Sequence, residues 1–127
     1  MAEFAFMKEV LAAFGRGSVR LFRANSGMAW TGRVVSHTKQ FITIADPRTF
    51  HGMPAGTSDL IGWQSIEITP DMVGQRVAVF VAVECKTPAG RPTEAQAAFL
   101  SAVRRAGGRA VLARSTGDVA AALGPAP

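Results

Sequence analysis

Three side chains in this sequence combine in a way that packing alone does not explain: Asp59, Glu84 and Lys86. The segment Val77-Ala-Val-Phe-Val-Ala-Val83 reads as a strand that is apolar on both faces, and it runs into Glu84-Cys85-Lys86. Side chains alternate along a strand, so Glu84 and Lys86 share a face with Ala78, Phe80 and Ala82, while the valines and Cys85 share the other. A carboxylate and an ammonium at the end of a core strand are costly to bury without partners, which points to a site. Asp59 supplies a second carboxylate upstream. Two carboxylates within about 4 Å repel by roughly 4 kcal/mol at an effective dielectric near 20, so a cation between them is expected. Oxygen-only ligation selects Mg²⁺ or Mn²⁺, with the backbone carbonyl of Cys85 as a further donor. Such an ion polarises a phosphodiester and acidifies a water, and Lys86 orients the nucleophile or neutralises developing charge.

The elements that must hold these groups are legible in outline. Phe4, Met7, Leu11 and Phe14 recur at helical spacing before Gly15, which predicts a first helix over residues 3–14. Residues 18–23 and 28–35 alternate around Asn25-Ser-Gly27 and predict a hairpin or two adjacent short strands. Residues 36–56, with Pro47, Gly52, Pro54 and Gly56, predict a long loop interrupted by Phe41-Ile-Thr-Ile44. Strand character returns over 59–63, around 65–68 and over 77–86. If these pair as neighbours, Asp59 is brought towards Glu84. Thr93-Glu-Ala-Gln96 predicts a capping box opening a helix that Gly107-Gly108 closes, Arg109 to Arg114 a strand, and Ser115 to Leu123 a last helix. The final strand–helix–strand step favours a parallel crossover. The fold class expected is α/β, a mixed sheet flanked by helices.

Composition sets the outer limits. A length of 127 residues fits one domain, 1–127, with a frayed tail at about 124–127. The longest apolar run falls far short of the ~20 residues of a membrane helix, and the acidic N-terminal segment does not read as a signal peptide. A soluble protein without a membrane partner is expected, and a single cysteine suits a reducing cytoplasm. The net charge of +5 favours a polyanionic partner. Residues 1–58 hold seven Lys/Arg against three Asp/Glu, and residues 59–127 seven against six, so most of the positive field belongs to the N-terminal half.

Beyond the bare Asp…Glu-x-Lys pattern, five segments narrow the comparison: Leu21-Phe-Arg23-Ala-Asn25-Ser-Gly27, Gly56-Thr-Ser-Asp59-Leu-Ile-Gly62, Phe80-Val-Ala-Val-Glu84-Cys-Lys86, Gly90-Arg-Pro-Thr-Glu-Ala-Gln96 and Gly107-Gly-Arg-Ala. Together they resemble the VRR-type branch of the PD-(D/E)xK nuclease superfamily, particularly its small stand-alone phage-like members. The resemblance implies a restriction-endonuclease-like core and a Mg²⁺- or Mn²⁺-dependent DNA endonuclease without an organic cofactor. It further implies a homodimer acting on branched DNA such as four-way (Holliday) junctions, and an intracellular setting that includes a phage gene in a bacterial host. Carried over by position, Asp59 and Glu84 are metal ligands, Lys86 is the catalytic lysine, and Gln96 completes the site. Glu3 matches an additional acidic residue better than Glu9 does. Ser58 precedes Asp59 where the superfamily usually has proline.

Each of these residues also has a structural explanation. Glu84 and Lys86 can be an ion pair at a strand end, Gln96 a capping-box glutamine, and Glu3 an acid answering the helix dipole. His37 and His51 lack metal-ligand spacing and read as surface residues; Cys85 reads as a buried structural thiol, and Trp30 and Trp63 as core. Arg20, Arg23, Arg33, Lys39, Arg48 and Arg91 are candidate phosphate contacts, and no sequence-reading element such as a helix-turn-helix accompanies them. Alternatives to a junction nuclease are a flap or duplex-end nuclease, or a catalytically silent DNA-binding protein with the same fold.

Overall fold

The chain forms three helices and six strands in a mixed α/β arrangement, seen in a computed structural model that describes residues 2–127. The order is α1 (Ala2–Phe14), β1 (Val19–Arg23), β2 (Met28–His37), β3 (Ile42–His51), β4 (Leu60–Gln64), a 3-10 turn (Pro70–Met72), β5 (Val81–Cys85), α2 (Glu94–Arg105), β6 (Arg109–Ala113) and α3 (Thr116–Leu123). The strands pair two by two, β1 with β4, β2 with β3 and β5 with β6. Two compact units result, one holding α1 and Leu21–Ile61, the other Arg16–Arg20 and Gly62–Pro127.

In the first unit the expected 36–56 loop is instead half of a long antiparallel hairpin, β2–β3. Its turn lacks the Gly or Asn that normally announces one. The Thr38 hydroxyl does that work, accepting the Phe41 N–H at 3.0 Å, while the Thr38 N–H donates to the Phe41 carbonyl at 2.8 Å. Pro47 reads as a strand breaker, yet it occupies an irregularity where Asp46 and Pro47 oppose Gly32 alone. A bulge tolerates a residue without an N–H, and Asp46 takes a left-handed φ of 51° there. Gly32 is required by proximity, because a Cβ at that position would lie 2.7 Å from the Ala45 carbonyl oxygen. Trp30, expected in a core, is 60% exposed on this ribbon.

The second unit carries the buried core, formed by Leu100 and Val103 on one face of α2 and Ala113 on β6. The predicted capping box of α2 is present: the Thr93 hydroxyl accepts the Gln96 N–H at 3.1 Å, and the Gln96 side-chain oxygen accepts the Thr93 N–H at 2.9 Å. The helix stops in a Schellman pattern, with Gly107 N–H donating to Arg104 O and Gly108 N–H to Val103 O; Gly107 adopts φ 97°. β5, α2 and β6 form the expected parallel step, with Glu84 opposite Leu112 and Cys85 opposite Ala113. Trp63 packs partly buried against Phe80 at 4.9 Å and Phe99 at 6.2 Å between ring centroids.

Four further expectations are corrected. The predicted 77–86 strand is shorter, Val81–Cys85, and residues 65–68 are not a strand. Among the described residues β4 pairs with β1 and β5 with β6, and β4 and β5 are not hydrogen-bonded neighbours. Cys85 is exposed rather than buried. It follows Val81 and Val83 on the face of β5 opposite Ala82 and Glu84, and that face stays open, with the two valines themselves exposed.

Candidate active site

Alternation along β5 turns Ala82 and Glu84 inward and leaves Val81, Val83 and Cys85 outward. Glu84 therefore faces α2, and it lines a hollow with Phe80, Ala82, Gln96, Phe99 and Leu100. Lys86 lies one step beyond the strand, its N–H held by the Ala113 carbonyl at 2.9 Å. Its ammonium Nζ stands 3.3 Å from Glu84 Oε1, with the two side chains 21% and 27% exposed. The pair is thus half-shielded and ionic, and the walls around the carboxylate are largely apolar. Gln96 reaches the same hollow, but its side-chain oxygen is committed to the Thr93 N–H. What remains free for chemistry on that residue is the amide NH₂.

In the first unit Asp59 sits at the entrance to β4, its carbonyl accepting the Ala24 N–H at 2.9 Å. It lines a hollow together with Glu3, Met7, Arg23 and Asn25. Arg23 lies over the Phe4 ring at 5.3 Å. Among the described residues no three His, Cys, Asp or Glu side chains gather in a metal-holding cluster. The donors available on Asp59, Glu3 and Glu84 are carboxylate oxygens, which fit a hard divalent cation and not a soft one.

The candidate phosphate contacts are dispersed. Arg20 lies over the rings of Trp63 and Phe99 at 5.4 and 5.8 Å, a cation–π arrangement that holds its guanidinium. Arg33 and Arg48 project from the β2–β3 hairpin, Lys39 from its turn, and Arg91 from the loop after Lys86. His37 and His51 are exposed on the hairpin, as expected of surface histidines.

Sequence reasoning overlooked Arg114. Parallel pairing of Cys85 with Ala113 sets it beside Lys86, and its guanidinium donates to the Gly90 carbonyl at 2.8 Å, fastening the loop that carries Arg91. Its own N–H is held by Asp118 at 2.7 Å. Only the strand register reveals this; in the sequence it is one more arginine at a strand end.

A carboxylate and a lysine one residue apart at the end of a parallel-paired strand, followed by a capped helix bearing glutamine, suit phosphodiester chemistry. Residues 25–117, which include Asp59, Glu84, Lys86, Gln96 and Arg114, match the VRR-NUC domain. The chain belongs to the VRR-NUC family. VRR-NUC domains are PD-(D/E)xK-type nuclease domains, so membership carries nuclease activity with DNA as substrate. Glu3 lies outside the matched segment and joins Asp59 only through the fold. No curated protein and no solved structure gave a match. Among the described residues no helix is long and apolar enough to cross a membrane.

Proposed function

We propose that this VRR-NUC protein is a divalent-metal-dependent DNA endonuclease that acts as a homodimer on branched DNA such as four-way junctions. The observation that carries the chemistry is the Glu84–Lys86 pair at 3.3 Å on the end of β5, inside the matched family segment. Asp59 and Glu84 would serve as ligands for Mg²⁺ or Mn²⁺, with the Cys85 carbonyl and Glu3 as further candidate donors. The ion supplies charge neutralisation at the phosphate and a more acidic water.

The chain's own groups do the rest. Lys86 presents a cation where negative charge develops on the phosphate, and the ion pair with Glu84 holds that cation in place before DNA arrives. Gln96, fixed by its cap bond, offers an amide donor to the attacking water or a phosphate oxygen. Arg91 grips a neighbouring phosphate from a loop that Arg114 fastens. Arg23, Arg33, Lys39 and Arg48 extend the phosphate-binding surface, and Arg20 does so from its seat over Trp63. Contacts of this kind carry no base sequence, so selection rests on DNA shape.

The substrate reading is tested with end-labelled four-way junction, flap and linear duplex DNA, each offered with Mg²⁺ or Mn²⁺. Paired symmetric cuts in the junction, at least ten times faster than cuts in duplex, are the expected result. Cutting confined to flaps or duplex ends would keep the chemistry and discard the junction. Binding of all three without cutting would leave the silent DNA-binding alternative.

A further inference from the structure

The β2–β3 hairpin has two unlike faces. Following the register, and allowing for the irregularities at Gly32 and Val35, Met28, Trp30, Val34, Ile42 and Ile44 fall on one face, with Thr49, His37 and His51 beside them. Ala29, Thr31, Arg33, Thr43, Arg48 and Phe50 fall on the other. The first face holds no Lys or Arg, although the chain as a whole is at +5, and its one acid is Asp46 in the bulge opposite Gly32. Met28, Trp30, Val34 and Ile42 are 54–60% exposed there, and no residue of either strand is buried. A two-stranded ribbon with its apolar side in water is marginal by itself, and a patch of this kind marks an interaction site.

We infer that the Met28–Trp30–Val34–Ile42 face of the hairpin is the surface through which two copies of this chain pair. The inference rests on the homodimer proposed above and names its interface. Charge favours this occupant: two chains at +5 repel, and they can meet closely only over a face free of like charges. DNA would instead need cations on that face, and the hairpin arginines lie on the opposite one. The area also suits a pair. At the 150–250 Å² typical of a large ring and somewhat less for an aliphatic side chain, the four exposed residues offer on the order of 400–500 Å² per copy. That is more than half of the roughly 800 Å² per partner of a standard interface, before the threonine and histidine rim is added. A two-fold pairing of one face with itself leaves Arg33 and Arg48 of both copies outward, free for DNA.

The test measures the mass of the full chain by sedimentation equilibrium, for wild type, for Trp30→Glu/Val34→Glu, and for Thr31→Glu/Thr43→Glu on the opposite face. Wild type and the second variant are expected at twice the 13.4 kDa chain mass, with the first variant's dimer dissociation constant raised at least ~100-fold. A wild type at single-chain mass at all concentrations, or an undiminished dimer in a folded first variant, overturns the inference. Should the first variant lose its circular-dichroism signature, hydrogen exchange of the wild type decides. Amides of residues 28–37 and 42–51 must slow as the chain is concentrated into dimer, and unchanged exchange there refutes the assignment. Nicking of duplex DNA with Mn²⁺ is followed in parallel: a monomer that still nicks removes the interface and keeps the nuclease, whereas a hairpin-paired dimer that never nicks does the reverse.

Discussion

Replacing Lys86 with alanine is expected to lower DNA cleavage by about 10²–10³-fold, the usual cost of removing one group that stabilises transition-state charge. The ammonium lies 3.3 Å from Glu84 and is only 21% exposed, so its field at a bound phosphate is weakly screened. Its loss leaves Glu84 without its cationic neighbour. At the proposed metal site only carboxylates would then remain, and Mn²⁺ binding by Lys86→Ala is expected to stay the same or tighten. Glu84→Gln behaves differently, losing cleavage and Mn²⁺ affinity together, because it removes a ligand and not just a counter-charge. Rates from single-turnover cleavage and affinities from Mn²⁺ titration separate the two. If the Glu84–Lys86 pair were only a strand-end salt bridge, both variants would cut at the wild-type rate and lose about 0.2–1 kcal/mol of stability.

Leu100→Ala is expected to destabilise the protein by about 2–5 kcal/mol, the range for truncating a buried leucine. Leu100 is 5% exposed, and with Val103 and Ala113 it makes up the buried hydrophobic core among the described residues. A loss of that size is a large share of the 5–15 kcal/mol typical of a whole domain. Leu100 also walls the hollow that holds Glu84, so the cavity opens beside β5. Urea denaturation by circular dichroism measures the change, with Val73→Ser as the control. Val73 is 86% exposed, and its substitution is expected to stay within about 0.5 kcal/mol of wild type.

The parts of the fold that could be read from sequence are those that local chemistry specifies. Thr93 and Gln96 mark the start of α2 because their side chains must satisfy its first N–H groups, and Gly107-Gly108 mark its end because the chain there needs a positive φ. The Glu84-x-Lys86 spacing places both groups on one side of β5 by alternation alone, and the structure keeps them there as an ion pair.

The hairpin escaped for an equally local reason. Its turn is made by the Thr38 side chain, and Pro47, which normally argues against a strand, lies in a bulge. Burial was harder still. The valines of the 77–83 segment suggest a core, but Val81, Val83 and Cys85 stay uncovered, because covering a face depends on neighbours that strand periodicity does not name. Arg114 needed the parallel register, and the hollow that Glu3 and Asp59 both line needed the tertiary fold.

Asp59 and Glu84 are the residues proposed to make this VRR-NUC protein a metal-dependent nuclease. The most direct test of that role strips the protein of metal with chelator and follows relaxation of supercoiled plasmid as Mn²⁺ is returned, for wild type, Asp59→Asn and Glu84→Gln. Wild type is expected to nick only once Mn²⁺ is returned, and both variants are expected not to nick. Nicking that proceeds in chelator, or that survives in either variant at the wild-type rate, would contradict that role.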